Sequence, residues 1–414
     1  MISEAELKKE VRMEIGMRLG RSRPTRKELE TLADKIFDAS VSKYGVESDG
    51  SLKDAVIGSI CDDFLGLGPI QKLMDDDTVT EIMVNGPFQI YAERRGEKKL
   101  CDDKFDNEDH LRSMVEKMLS PSGRRVDESS PYVDFSLPDG SRVNVIIPPL
   151  SVGGSVVTIR KFLETIRSVD DLVRLETVDI RMAEFLKAAI RSKCNILFSG
   201  ATGSGKTSTL GVLSTEIPVA ERIVTIEDAL ELQLSQDHVV RLLTRTKNIE
   251  GKGEVSVRNL FQNVLRMRPS RILLGEIRGE EAMDFLQAVN SGHDGTLAVL
   301  HASTPQNAIG RLETMATYSG LNIPSTEIRR QIASGLHLIV QHEQMSDGSR
   351  KITFITEIQG VENGDVKLNN LYRYEIEDIG TDGKVSGGFH ALGKPALLSR
   401  FKKFGVTPDE SIFE

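Results

Sequence analysis

The sequence predicts an α/β protein in three parts: a C-terminal domain built on a mainly parallel sheet, a smaller α+β domain before it, and an N-terminal helical segment. Three observations carry this. From about Leu172 onward, short apolar runs alternate with helix-compatible stretches, the pattern of a parallel sheet covered on both faces. Between Val79 and Phe162 the pattern changes to short extended runs joined by turn chemistry. At Gly200 to Thr207 a strand-to-helix junction fills the G-x-x-x-x-G-K-[ST] template of a phosphate-binding loop.

With 414 residues, 39% of them hydrophobic, the chain exceeds what one core usually supports, so at least two domains are expected. The divisions fall at 1–65, 66–165, a connector at 166–171, and 172–414. In order, Leu7, Val11, Ile15 and Leu19 repeat every four residues and give one helix a narrow apolar stripe. Thr25 with Glu28 forms a capping box for a second helix carrying Leu29, Leu32, Ala33, Ile36 and Phe37. A third begins at Ser51 and stops before the G-L-G-P break at Gly66 to Pro69. Extended runs follow at 80–84, 89–93, 132–137, 142–147 and 155–162, with a helix capped by Asn107 between the second and third. Pro138-Asp139-Gly140 supplies a turn. In the C-terminal part the expected strands are 195–199, 222–226, 271–275, 296–300 and 338–341. Thr244 to Glu254 reads as the most flexible stretch.

Charge and cysteine content exclude several classes. Lys plus Arg number 53 against 62 Asp plus Glu, a net charge of -9, and there is no Trp and only 5% aromatic residues. Stable nucleic-acid binding is therefore not expected. Cys61, Cys101 and Cys194 are scattered, which suits a reducing compartment and offers no zinc set. The first residues lack the apolar region of a secretory signal, and the apolar stretch from Val143 to Ile159 is broken by prolines and glycines.

The phosphate-binding loop runs Gly200, Ala201, Thr202, Gly203, Ser204, Gly205, Lys206, Thr207, Ser208. Wrapping a polyphosphate in backbone N–H groups demands residues without a Cβ where the chain turns through positive φ, and three glycines allow it. Lys206 opens a helix whose N-terminus favours anions, its ammonium can reach the β and γ phosphates, and Thr207 can ligate Mg²⁺. Hydrolysis further needs a carboxylate at a neighbouring strand end. Glu276, closing Ile272 to Gly275, is the better base; Glu227, Asp228 and Glu231 have a weaker case, and the lesser reading of Glu276 is a strand-end carboxylate paired with Arg278. His293 and His301 bracket the run Leu297 to Leu300, and His301 lies at the strand end where a phosphate sensor belongs. Arg142 and Arg160 face away from Val143, Val145, Val157 and Ile159, which by itself marks two surface arginines.

Four blocks in order, G-A-T-G-S-G-K-T, T-I-E-D-A-L-E-L, R-M-R-P-S-R-I-L-L-G-E-I-R and S-G-H-D-G-T-L-A-V-L-H-A-S-T-P, resemble the Walker A, Asp box, Walker B and His box of type II and type IV secretion ATPases. The upstream stretches G-L-G-P-I, V-T-E-I-M-V-N-G, G-R-R-V-D-E-S-S-P, L-P-D-G-S-R-V-N-V-I-I-P-P-L and T-I-R-K-F resemble the CpaF branch, the motors of Tad/Flp pili. The resemblance implies a homo-hexamer with a PAS-like N-terminal and a RecA-like C-terminal domain. It would hydrolyse ATP with Mg²⁺ at the cytoplasmic face of the inner membrane and drive pilus assembly, with retraction left open, through inner-membrane platform proteins. It also assigns roles: Lys206 and Thr207 to phosphate and Mg²⁺, Glu276 to the attacking water, Glu227, Asp228 and Glu231 to the metal or its waters. His293 and His301 would report the γ phosphate, and Arg142 and Arg160 would reach the nucleotide from the N-terminal domain. Ser270 departs from the family's usual Asp. The competing readings are a slow nucleotide-switched assembly module, another type II/IV secretion ATPase, and a nucleic-acid translocase.

Overall fold

The repeat of Leu7, Val11 and Ile15 becomes the buried stripe of α1 (Glu4–Leu19). It packs on Leu29, Ala33 and Phe37 of α2 (Arg26–Tyr44) and on Val56 and Ile60 of α3 (Gly50–Leu65). The Thr25–Glu28 capping box is formed in both directions, and Gly45 closes α2 in the left-handed region. The computed structural model describes residues 4–20, 24–45, 50–94, 96–161, 166, 168–232, 234–245 and 252–414. Most of the expected flexible loop, 244–254, and the end of the expected strand 155–162 lie outside them.

After α4 (Gln71–Asp75), the extended runs form β1 (Val79–Asn85), β2 (Ile90–Arg94), β3 (Glu97–Leu100), β4 (Tyr132–Ser136), β5 (Arg142–Ile146) and β6 (Val156–Arg160). They pair antiparallel in the order β3-β2-β1-β6-β5-β4. Alternation sends Ile82, Val84, Val143, Val145, Val157 and Ile159 to one face, where α5 (Glu108–Leu119) covers them with Leu111, Met114, Val115 and Met118. The other face carries Arg142 directly opposite Arg160, both exposed, with Glu81 beside Arg160 in the next strand. The helices are tied to this layer by charge. Arg12 of α1 meets Asp106 at 2.6 Å, and Lys117 of α5 donates to carbonyls at the end of α3, 3.0 Å from Phe64 O. These elements belong to the first of two compact units, Met1–Leu163; the second is Glu164–Glu414.

In the second unit, α6 (Val169–Arg174) occupies much of the expected connector, started by a capping box between Ser168 and Asp171. Then come α7 (Ile180–Arg191), β7 (Ile196–Gly200), α8 (Lys206–Ser214), β8 (Ile223–Glu227), β9 (Val239–Leu243), α9 (Val257–Val264), β10 (Arg271–Leu274), α10 (Glu281–Asn290) and β11 (Leu297–His301). The chain continues through α11 (Pro305–Thr317), α12 (Ser325–Gly335), β12 (Leu338–Gln344), β13 (Arg350–Glu362), β14 (Asp365–Ile379), β15 (Val385–Ala391) and α13 (Leu398–Lys403). One sheet holds all nine strands in the order β15-β14-β13-β12-β7-β11-β10-β8-β9. From β12 to β9 every pairing is parallel, and β13 to β15 extend the sheet antiparallel. Strands β7, β8 and β10 are buried throughout, as apolar runs sandwiched between helix layers must be. Ile196 and Phe198 face the layer holding α7 and α8, while Leu197, Ile226 and Leu274 face α9 to α12.

Arg271 opens β10 inside this core. Its side chain is 0% exposed and donates to Glu221 at 2.6 Å. Removing the partner strands a buried cation, so Glu221→Ala should cost about 3 kcal/mol. Urea unfolding followed through the second unit checks this, and an unchanged midpoint would show that the pair adds nothing.

Candidate functional site

Parallel pairing places the carboxyl ends of β7, β11, β10 and β8 along one edge, where the chain leaves each strand for a loop. At the end of β7 the backbone turns through φ 152° at Gly200, 78° at Gly203 and 97° at Gly205. A Cβ on Gly200 would collide with the carbonyl oxygen of His342 and lie 2.6 Å from Ser204 Oγ, so no other residue fits there. Gly205 is the N-cap of α8 and supplies no side-chain acceptor, which leaves the first-turn N–H groups to an anion.

Lys206 points back into this loop. Its Nζ lies 2.6 Å from Ala201 O and 3.4 Å from His301 Nδ1. His301 Nε2 is 3.1 Å from Glu276 Oε1, and Arg278 takes the other oxygen of Glu276, with Nε at 2.7 Å. An ammonium only donates, so Nδ1 of His301 is the acceptor and Nε2–H faces the carboxylate. Burial, reinforced by the charge of Lys206, holds the His301 pKa below its ordinary value, in keeping with that neutral tautomer. Burial also brings Lys206 down to about 8, against the opposing pull of Glu276. A cavity of about 870 Å³ opens beside the loop, bordered by Ala201, Thr202, His301 and Arg311.

The expected residues divide into those the fold gathers and those it does not. Lys206, His301 and Glu276 form one line, and Asp228 joins through Arg278 at 3.5 Å. Glu227 is buried and turned onto its own segment, accepting from Thr225 Oγ1 and from the N–H groups of Glu231 and Leu232, each at 2.8 Å. It therefore shapes the turn after β8, and Glu231 stands in that turn. His293 precedes β11 and lies at the opposite edge of the sheet, 3.3 Å from Ser291 Oγ. Within this chain the length of β11 separates it from His301, so a report of the γ phosphate by His293 would not run through the Lys206–His301–Glu276 line. Arg142 and Arg160 stand on the sheet of the first unit. Sequence reading missed Arg350, whose Nε donates to Gly203 O at 2.8 Å from a strand far along the chain. Nothing local signals such a contact.

Among the described residues no group of three His, Cys, Asp or Glu could hold a metal ion by itself. Oxygen donors of the kind Mg²⁺ takes, the Thr207 hydroxyl in the first turn of α8 and the Glu276 and Asp228 carboxylates, stand along this edge.

The fold and the strand-end loop define a P-loop α/β protein. Residues 63–352 match the family described as Type II/IV secretion system protein, and the chain belongs to that family. It is 34% identical over 300 residues to the type IV secretion system protein PtlH of Bordetella pertussis, covering 66% of this chain and 88% of that one. To the type IV secretion system protein VirB11 of Bartonella henselae it is 30% identical over 325 residues, 70% of this chain and 91% of the relative. Among solved structures, the VirB11 ATPase of the Brucella suis type IV secretion system, in complex with sulphate, is 29% identical, covering 70% of this chain and 92% of that one, with a TM-score of 0.39.

The lowered pKa of Lys206 has a testable sign. A bound polyphosphate favours the charged ammonium and raises its pKa, so binding above pH 8 must draw in a proton. Affinity for Mg·ADP should be independent of this group well below pH 8 and should weaken above it, by up to about tenfold per pH unit. Calorimetry in buffers of different ionisation enthalpy would detect the proton uptake. Equal affinity at pH 7 and pH 9.5 without uptake would contradict the placement of Lys206.

Proposed function

We propose that this protein is a hexameric motor ATPase that drives assembly of a Tad/Flp type IV pilus at the cytoplasmic face of the inner membrane. The observation that supports it most is the line Lys206–His301–Glu276, which joins a phosphate-directed cation to a strand-end carboxylate through one neutral imidazole. Lys206 and the N–H groups of the loop would bind the β and γ phosphates. Thr207 would ligate Mg²⁺, which offsets phosphate charge. Glu276 would orient a water whose oxygen attacks the γ phosphorus as the bond to the β–γ bridging oxygen breaks, the water's proton passing to phosphate or solvent. His301 contacts both partners and is suited to report the γ phosphate. No described helix is long and apolar enough to cross a membrane, so attachment would run through platform proteins. The upstream resemblance to pilus motors favours the pilus over the secretion systems that give the relatives their names.

A second reading has its own support. Both oxygens of Glu276 are engaged, by Arg278 and His301, and a carboxylate so held polarises water poorly. A slow nucleotide switch would look like this. Steady-state phosphate release separates the two: a motor turns over at about 1 s⁻¹ or faster when its ring is assembled.

For the motor reading, Glu276→Gln should bind Mg·ATP and lose turnover by about 10² or more, because an amide keeps the shape but orients and polarises the attacking water poorly. Near-normal turnover would reject that role. Arg142→Ala/Arg160→Ala should lower kcat by about 10³ with little change in ATP affinity, if these arginines meet the charge that develops at the γ phosphate. Turnover at the parent rate, with the ring intact by light scattering, would leave both as surface residues.

A further inference from the structure

We propose that Arg350 is a positioning residue for the phosphate-binding loop: it holds the Gly203–Ser204 peptide so that the Ser204 N–H faces the phosphates. The proposal rests on the nucleotide reading above. A trans peptide is planar, with its C=O and N–H pointing in opposite directions. Arg350 Nε donates to Gly203 O at 2.8 Å. The N–H of Ser204 therefore points away from Arg350 and donates to Ala201 O at 3.3 Å, the same oxygen that Lys206 Nζ meets at 2.6 Å. Both donors converge on that one carbonyl oxygen, which a phosphate oxygen would replace in the nucleotide-bound loop.

Gly203 gives such a clasp its use once the Ser204 N–H leaves Ala201 O for a phosphate. At φ 78° and without a side chain, it lets the following peptide rotate at little cost unless something outside holds the carbonyl. The stem of Arg350 also packs on the loop, with its Cδ 3.3 Å from where a Cβ on Gly205 would stand.

The guanidinium sits on a rigid mount. Arg350 is the first residue of β13 and pairs with Gln344 of β12, and β12 runs beside β7 with His342 opposite Gly200. The turn between them is closed by Met345 N to Ser349 O at 2.8 Å. Asp347 in that turn accepts from Ser349 N and from Val385 N of β15, each at 2.9 Å. The next residue, Lys351, is buried and anchored to Glu176 O at 2.8 Å. Because the side chain is already placed, ordering it costs little when the nucleotide arrives.

The test compares Arg350→Met with Arg350→Gln in the full chain. Methionine keeps the apolar stem over Gly205 and removes the donor. Glutamine places Nε2 after the same number of carbons as arginine's Nε, and so retains an N–H for Gly203 O without the charge. Arg350→Met should weaken Mg·ADP binding by about five- to tenfold, the worth of one hydrogen bond, and raise KM for ATP in proportion while kcat changes less. Arg350→Gln should recover most of that loss. Unaltered binding in Arg350→Met, or Arg350→Gln binding as weakly as Arg350→Met, would overturn the proposal, the second outcome pointing to charge instead of peptide orientation. If the parent bound no Mg·ADP, the nucleotide reading would fall as well; parent binding with unaltered variants overturns this inference alone.

Discussion

Everything at the candidate site depends on the register of β7 with its two parallel neighbours. Gly200 stands opposite His301 in β11 and opposite His342 in β12. The first pairing brings the imidazole to the loop that follows β7, within reach of Lys206. The second presses the His342 carbonyl against the Cα of Gly200 and excludes any side chain there. A shift of one residue would exchange the two faces of the strand and remove both contacts. The register is held by packing that differs between the faces, since Ile196 and Phe198 fit one helix layer and Leu197 fits the other.

Electrostatics then follow from depth. Lys206 and His301 lie far enough inside for burial to lower both pKa values, and the charge of Glu276 opposes part of the shift in each. A buried cation with a strand-end carboxylate close by is poised to exchange an internal carbonyl partner for a phosphate. The antiparallel strands β13 to β15 add a brace from the other side, because the mount that carries Arg350 is continuous with them.

Much of this was legible in the sequence, for local reasons. The phosphate-binding loop is one contiguous motif, and Glu276 and His301 declare themselves as polar residues ending apolar runs. His293 and His301 bracket one short run in sequence, and that strand carries the chain from one edge of the sheet to the other, so only His301 ends beside the loop. The turn-forming role of Glu227 depends on N–H groups that exist only once the loop after β8 is folded. The expected connector, 166–171, ends inside α6, because the polar first turn with Asp170 and Asp171 reads as linker until Ser168 caps it. Strand β3 was missed since Glu97, Lys98 and Lys99 show no apolar alternation, and β14 since Lys367, Asn369 and Arg373 interrupt its pattern. Arg350 shows the general limit: a contact between distant strands is written in topology and leaves no trace in either segment.

The central claim is that Lys206, His301 and Glu276 act together on the γ phosphate. A crystal structure with Mg²⁺, ADP and beryllium fluoride tests it most directly. The account predicts that Lys206 Nζ leaves Ala201 O for a β oxygen or the fluoride, and that a water stands between Glu276 and the beryllium with His301 in contact. Density for the nucleotide away from the Gly200–Thr207 loop, or Glu276 turned from the beryllium with no water between them, would contradict it.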